Sequence, residues 1–243
     1  MRIALIADIH GNLVALETVL RELEQEPLDQ IVCLGDVAAL GPQPREVIER
    51  LRTLQCPVVL GNTDAWLLSS PVAQSEPEIL RAITRWCAEQ LSAEDIAYLQ
   101  TFPPLLEIPM DEGRMLLCYH GSPRSFDDVI AAVTPDEKVQ EMLAGFSAPV
   151  MVGGHTHIQM IRRYGDAHIV NVGSVGLAGV NAGSPELPDN REVRWAEYGV
   201  LSVERGRLSI DLRRTPLDVA AVLSAGTHSG MPHLEWWVQK WSL

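Results

Sequence analysis

The stretch Ile3-Ala4-Leu5-Ile6-Ala7-Asp8-Ile9-His10-Gly11-Asn12, followed by Leu13, Leu16, Leu20 and Leu23, decides how the rest of the chain is read. Ile3 to Ala7 is a short apolar run ended by polar residues, and the leucines after it recur at helical spacing, so the segment reads strand, loop, helix. The unit repeats. Ile31-Val32-Cys33-Leu34 ends at Gly35-Asp36, and after a Gly41-Pro42 turn Val47, Ile48, Leu51 and Leu54 again have helical spacing, with Pro44 suited to the first turn. Val58-Val59-Leu60 then ends at Gly61-Asn62. Apolar strands separated by amphipathic helices predict parallel pairing in a layered α/β architecture, with functional loops at the carboxyl ends of the strands.

Farther along, residues 75–101 turn helical, with a helix start at Ser92-Ala93-Glu94-Asp95. Leu105 to Met110, a turn at Asp111-Glu112-Gly113, and Met115 to Tyr119 read as a hairpin. A helix opened by Thr134-Pro135-Asp136-Glu137 follows. The later segments Val150 to Val152, Ile158 to Tyr164, Ile169 to Val172, Tyr198 to Val203 and Leu208 to Leu212 predict a second, partly antiparallel sheet. The turn-rich stretch 179–192 is a loop, read as a lid, and 231–243 is a Trp-rich C-terminal helix. Its Leu234, Trp237, Val238 and Trp241 share a face, read as packing on the domain, with a homo-oligomer contact as the alternative. Residues 1–243 read as a single domain.

The 243 residues, 47% hydrophobic and 21% charged, supply one sizeable core. No window approaches the roughly 20 apolar residues of a membrane span, and no cleavage signal follows Met1-Arg2, so the expectation is a cytoplasmic protein without a membrane partner. Cys33, Cys56, Cys87 and Cys118 lie singly in apolar segments and read as buried, reduced thiols. Lys+Arg 19 against Asp+Glu 32 gives a net charge of −13, which argues against strong nucleic-acid binding. A phosphate substrate would need positive charge from another source, and metal ions supply it.

The polar residues at the strand ends are metal-ligand types: Asp8 and His10, Asp36, Asn62, His120, and His155 with His157. Singly, each has a plain reading, as a helix cap, a turn or a loop histidine. Together they place four of the seven histidines at strand ends beside glycine, and a convergent site accounts for that. Carboxylates neutralise divalent cations while imidazoles favour transition metals, and so many donors exceed a closed four-ligand zinc site. In extended chain His155 and His157 would point to one side, and Gly153 and Gly154 would let the backbone come close.

Asp8-x-His10, Gly35-Asp36, Gly61-Asn62-x-Asp64, His120-Gly121 and Gly154-His155-x-His157 resemble, in order and approximate spacing, the motifs of the calcineurin-like metallophosphoesterase superfamily. The short chain and Gly173-Ser174-Val175-Gly176 are similar to its small prokaryotic phosphodiesterase branch. The resemblance implies a four-layer αββα sandwich of two mixed sheets. It implies two divalent cations, Mn²⁺ first and iron, zinc, cobalt or nickel as alternatives. Asp8, His10 and His157 would bind one, Asn62, His120 and His155 the other, and Asp36 both, with a metal-bridging hydroxide as nucleophile. Asn62 would also be catalytic, its NH₂ orienting other groups, and Asn12, Thr63 and Arg124 are candidate substrate contacts. For Asn12 helix capping is an equal reading, and for Arg124 a solvated surface position. Many members carry histidine where this chain has Thr63, so a general acid is missing.

The expected function is hydrolysis of a small phosphodiester or nucleotide-type substrate. A phosphomonoesterase or dinucleoside polyphosphate hydrolase would share every ligand. The rival from another class is a protein-binding scaffold, since the superfamily includes a retromer subunit that keeps the fold with a degenerate site; seven retained ligands argue against it.

Overall fold

Strand β1 (Arg2–Ile6) lies inside a four-stranded sheet, between β2 (Gln30–Cys33), to which it runs parallel, and β8 (Trp195–Glu204), to which it runs antiparallel; β9 (Arg207–Pro216) closes the far edge. The second sheet has the order β3 (Leu106–Pro109), β4 (Met115–Cys118), β5 (Val150–Gly153), β7 (Ala167–Asn171), β6 (Met160–Tyr164) and is also mixed. The computed structural model describes residues 1–69, 77–179 and 193–241. The expected lid loop therefore lies, beyond Gly179, outside the described residues.

Side-chain alternation along β1 builds the layers. Ile3, Leu5 and Ala7 meet Leu116, Cys118, Val150 and Val152 of the second sheet in a buried inter-sheet layer. Ala4 and Ile6 face the other way, onto Leu16 of α1 (Leu13–Leu23) and Val47 and Ile48 of α2 (Pro44–Leu54). The far side of the second sheet packs Leu117, Tyr119 and Met151 under Val139 and Leu143 of α6 (Asp136–Leu143). The result is helix, sheet, sheet, helix. Each fully buried leucine or isoleucine contributes on the order of 1.5–3 kcal/mol.

Local signals place the helices. Pro44 is at the first turn of α2, where its missing N–H is no loss. Ser92 caps α5 (Ala93–Leu99) in a reciprocal box with Asp95, which also pairs with Arg52 of α2 at 2.6 Å. Helices α3 (Asn62–Leu68), α4 (Glu78–Gln90) and α7 (Val219–Ser229) complete that layer with α8 (Leu234–Trp241), which buries Trp237 and Trp241 in the α1 and α2 core. Among the described residues no helix is long and apolar enough to cross a membrane.

Two expectations need correction. Val58-Val59-Leu60 is not a full strand but a single parallel bridge, Cys33 to Val58, because Pro57 offers no N–H and Leu60 turns away to bond the Pro103 carbonyl. Tyr198 to Val203 and Leu208 to Leu212 do not join the second sheet; they complete the first. Strand β8 is buried along nearly its whole length, as a central strand must be, whereas β9 is largely exposed, as an edge strand is.

Candidate metal centre

The loop after β1, the turn after β2, the start of α3 and the loops after β4 and β5 meet at one end of the two sheets. Asp8, His10, Asp36, Asn62 and His120 are all buried there, and His155 and His157 close the open side. The structure brings together all seven expected ligands.

Backbone carbonyls orient the imidazoles. Nδ1 of His10 lies 3.1 Å from the Ala39 carbonyl, Nδ1 of His120 2.8 Å from that of Leu34, and Nδ1 of His157 2.7 Å from that of Leu177. A carbonyl only accepts, so each Nδ1 carries a proton, and Nε2 is the ring nitrogen that each turns to the centre. Yet Nε2 of His10 and of His157 lie 3.1 Å apart, and Nε2 of His120 lies 3.0 Å from Oδ1 of Asn62, which is also 3.1 Å from Nδ1 of His155. Nε2 of His10 and Nε2 of His157 thus face each other with both Nδ1 protons committed elsewhere, an arrangement that needs a proton or a cation between them.

The carboxylates repeat the pattern. Oδ1 of Asp8 is buried without a hydrogen bond, 3.3 Å from Nε2 of His157 and 3.9 Å from Nε2 of His10 and of His120. Oδ2 of Asp36 is 3.7 Å from Nε2 of His10 and 3.4 Å from that of His120. Ligand atoms of Asp8, His10 and His157, and of Asp8, Asp36 and His120, lie within 4.8 Å of one another. This donor set, with its orphaned carboxylate oxygen, fits divalent cations.

Electrostatics point the same way. Burial opposes ionisation of both aspartates, but His157 and His120 beside Asp8, and His120, His10 and His155 beside Asp36, hold both below the ordinary carboxylate value. Burial also opposes charge on His120, but Asp36 and Asp8 carry its pKa up to about 10, while burial pushes His10 down to about 4. Protein charge alone leaves this pocket short of positive charge.

Left-handed backbone is concentrated here: Asp8, His10, Asp36, His155 and His157 have φ of 55°, 48°, 56°, 69° and 58°. The extended chain expected at 155–157 is therefore a tight loop, and both imidazoles reach the centre through its turns. Such conformations persist where the surroundings fix them. A Cβ on Gly154 would lie 2.5 Å from Oδ2 of Asp8, and one on Gly61 2.1 Å from Oδ1 of Asp36, so glycine permits both close approaches.

The expected substrate contacts fare differently. Asn12 is committed at both ends: Oδ1 accepts from the Ala15 N–H as the cap of α1 and Nδ2 donates to the Gly176 carbonyl. Arg124 is exposed and donates to the Glu141 carbonyl near the end of α6, so its side chain serves that loop. Thr63 is buried, its N–H donates to Oδ1 of Asp36, and its hydroxyl has no hydrogen-bond partner.

Some supporting residues carried no assigned role in the sequence reading. Both Asp64 oxygens accept from backbone, one from Val37 and the other from Asp36 and Gly61, at 2.8–3.1 Å, clamping the Asp36 turn to the Asn62 helix start. Burial and the neighbouring Asp36 charge push its pKa up to about 7. Asn171 holds the His155 loop by donating to the Gly154 carbonyl, and the Ser174 hydroxyl donates to the Asp8 carbonyl at 2.7 Å. The visible signals were Asp64 inside its motif and Ser174 inside Gly173-Ser174-Val175-Gly176.

A layered αββα core with carboxylates and imidazoles gathered at the strand ends defines a metal-dependent hydrolase fold, and residues 1–205 match the calcineurin-like phosphoesterase superfamily domain. The chain belongs to that superfamily. It is similar to the crystal structure of a metallophosphoesterase from Sphaerobacter thermophilus, at 27% identity and TM-score 0.73 over 99% of this chain and 98% of that one. An uncharacterized protein of Methanocaldococcus jannaschii is 26% identical over 209 residues, 79% of this chain and 84% of its own length. A symmetrical bis(5'-nucleosyl)-tetraphosphatase of Baumannia cicadellinicola is 27% identical over 150 residues, 60% of this chain, and the match spans 51% of that protein.

Proposed function

We propose that this chain is a dinuclear metal-dependent phosphodiesterase acting on small phosphodiester or nucleotide-type substrates. The observation that carries the reading is the convergence of Asp8, with its unpartnered Oδ1, Asp36 and four imidazoles on one pocket, where Nε2 of His10 and of His157 face each other at 3.1 Å. When bound, two divalent cations, Mn²⁺ first among those such a donor set suits, supply an activated water and neutralise the phosphoryl oxygens. Asp8, His10 and His157 would hold one cation and Asn62, His120 and His155 the other, and Asp36 would serve both. The likeness to the tetraphosphatase supports a nucleotide-type substrate; a phosphomonoesterase would use the same ligands. The free thiols suit the cytoplasm.

Thr63 follows Asn62 on α3, the position where the superfamily resemblance implies a histidine as proton donor to the leaving group, and a threonine hydroxyl does not do so at neutral pH. The favoured esters therefore have acidic leaving groups. The test is hydrolysis of bis-p-nitrophenyl phosphate and p-nitrophenyl phosphate by metal-stripped protein, with Mn²⁺, Ni²⁺, Zn²⁺, Mg²⁺ or nothing restored, beside Asp36→Asn. Metal-dependent diester turnover that the variant loses is the expected result. Absence of turnover with every ion, despite metal bound, would point instead to a binding scaffold.

A further inference from the structure

The inter-sheet face of the first sheet does not end in apolar side chains. Register places its end: Leu5 pairs with Gly199, so Glu197 and Trp195 continue β8 past the last paired residue of β1, level with the loop that carries Asp8 and His10. Glu197 is bound into that loop's surroundings, its N–H donating to the Ser174 carbonyl, and the Ser174 hydroxyl donating to that of Asp8. Opposite Glu197 on β9 stands Arg214.

Glu197 is 4% exposed, a carboxylate taken out of water at a cost, and its Oε1 accepts from Nε of Arg214 at 3.0 Å and from Nε1 of Trp195 at 3.1 Å. The Arg214 guanidinium also stacks over the Trp195 ring, 5.1 Å from its centroid. One nitrogen and one face thus orient a side chain that is 57% exposed. Its two terminal NH₂ groups make no hydrogen bond or ion pair with the described residues. Arg213 shows the contrast: on the opposite face of the strand, it pairs with Glu26. In a chain of net charge −13, a fixed guanidinium with two donor groups unpaired among the described residues, level in register with the loop of Asp8 and His10, is matched to a phosphate.

We propose that Arg214, held by Glu197 and Trp195, receives a second phosphate group of the substrate, remote from the one being hydrolysed. Strand β9 lies two strand spacings from β1, about 10 Å, so that group sits farther along the substrate than the oxygens of the scissile phosphate. This rests on the phosphoesterase reading and narrows it to compounds with more than one phosphate.

The experiment compares wild type with Arg214→Gln, Mn²⁺-loaded, on diadenosine tetraphosphate and on bis-p-nitrophenyl phosphate, which has no second phosphate. The expected result is a fall of at least tenfold in the ratio of kcat/KM for the tetraphosphate to that for the diester, carried by KM. Arg214→Lys, which keeps charge opposite Glu197, recovers part of the ratio and replaces the glutamine variant if the latter melts early. An unchanged ratio overturns the proposal. Absence of wild-type turnover on both substrates would defeat the phosphoesterase reading alone. Calorimetric titration of inorganic tripolyphosphate into metal-free protein then decides: binding weakened at least fivefold by Arg214→Gln supports the role of Arg214, and equal binding overturns it.

Discussion

Replacing Asp64 with asparagine should loosen the metal centre without touching a ligand. Its carboxylate accepts from three buried backbone N–H groups, at 2.8 Å from Asp36, 2.9 Å from Val37 and 3.1 Å from Gly61. An amide keeps one accepting oxygen and turns an NH₂ against the remaining donors, so one or two buried N–H groups lose their acceptor, each at a cost of about 1–3 kcal/mol. Relief of repulsion between Asp64 and Asp36 offsets part of this, leaving a net loss of about 2–4 kcal/mol. For a domain of this size that lowers Tm by roughly 5–15 °C. Because the lost bonds position Asp36 and Asn62, Mn²⁺ affinity should also fall about 10–100-fold, as when the partner of a metal ligand is removed. Calorimetric melting of the stripped protein and titration with Mn²⁺ measure the two effects. An unchanged Mn²⁺ affinity, whatever the melting shift, would refute the claim that Asp64 positions the ligands.

Thr63→His should raise turnover of esters with poor leaving groups, within the roughly 10²–10⁴ that a general acid contributes, and an equal change on p-nitrophenyl esters would refute that account. Removing metal with a chelator should lower Tm, and adding Mn²⁺ at about 1,000 times its Kd should restore about 4 kcal/mol; a calorimetric Tm insensitive to the ion would contradict the site. Trp237→Ala empties a fully buried position between α8 and the core and should cost about 3–5 kcal/mol in urea unfolding. Asp95 has a folded pKa below its ordinary 3.8: burial opposes the shift, while bonds from Ser92 and the Arg52 charge produce it. Its stabilisation is therefore present above pH 3.8 and lost as pH falls below that value, so Asp95→Asn should flatten the acid limb of the stability curve.

Signals carried by neighbouring residues were legible in the sequence. Pro44 and Ser92 announce their helices through a missing N–H and a capping hydroxyl, and the ligands follow short apolar runs that form strands, except Asn62, whose run makes one bridge. The place of β8 was not legible, because its pairing with β1 joins residues nearly the whole chain apart and burial decides between the sheets. Nor was the role of Asp64, whose acceptors serve N–H groups of residues 36 and 37, across a separation only the fold closes. Asn12 shows why an identity alone is ambiguous: the same amide suits a substrate or a cap, and in this fold it caps α1 and donates to the Gly176 carbonyl.

The left-handed backbone at Asp8, His10, Asp36, His155 and His157 bears on how these positions can be emptied. Alanine there discards the ligand and still incurs the steric conflict of its Cβ with the following carbonyl, roughly 1–2 kcal/mol at each position. Glycine removes the ligand and relieves that conflict together, and asparagine tolerates the conformation better than most residues. A ligand-to-glycine variant of the metal-free protein can therefore be more heat-resistant than the parent while binding metal worse. At this centre, gain of stability and loss of function share one cause.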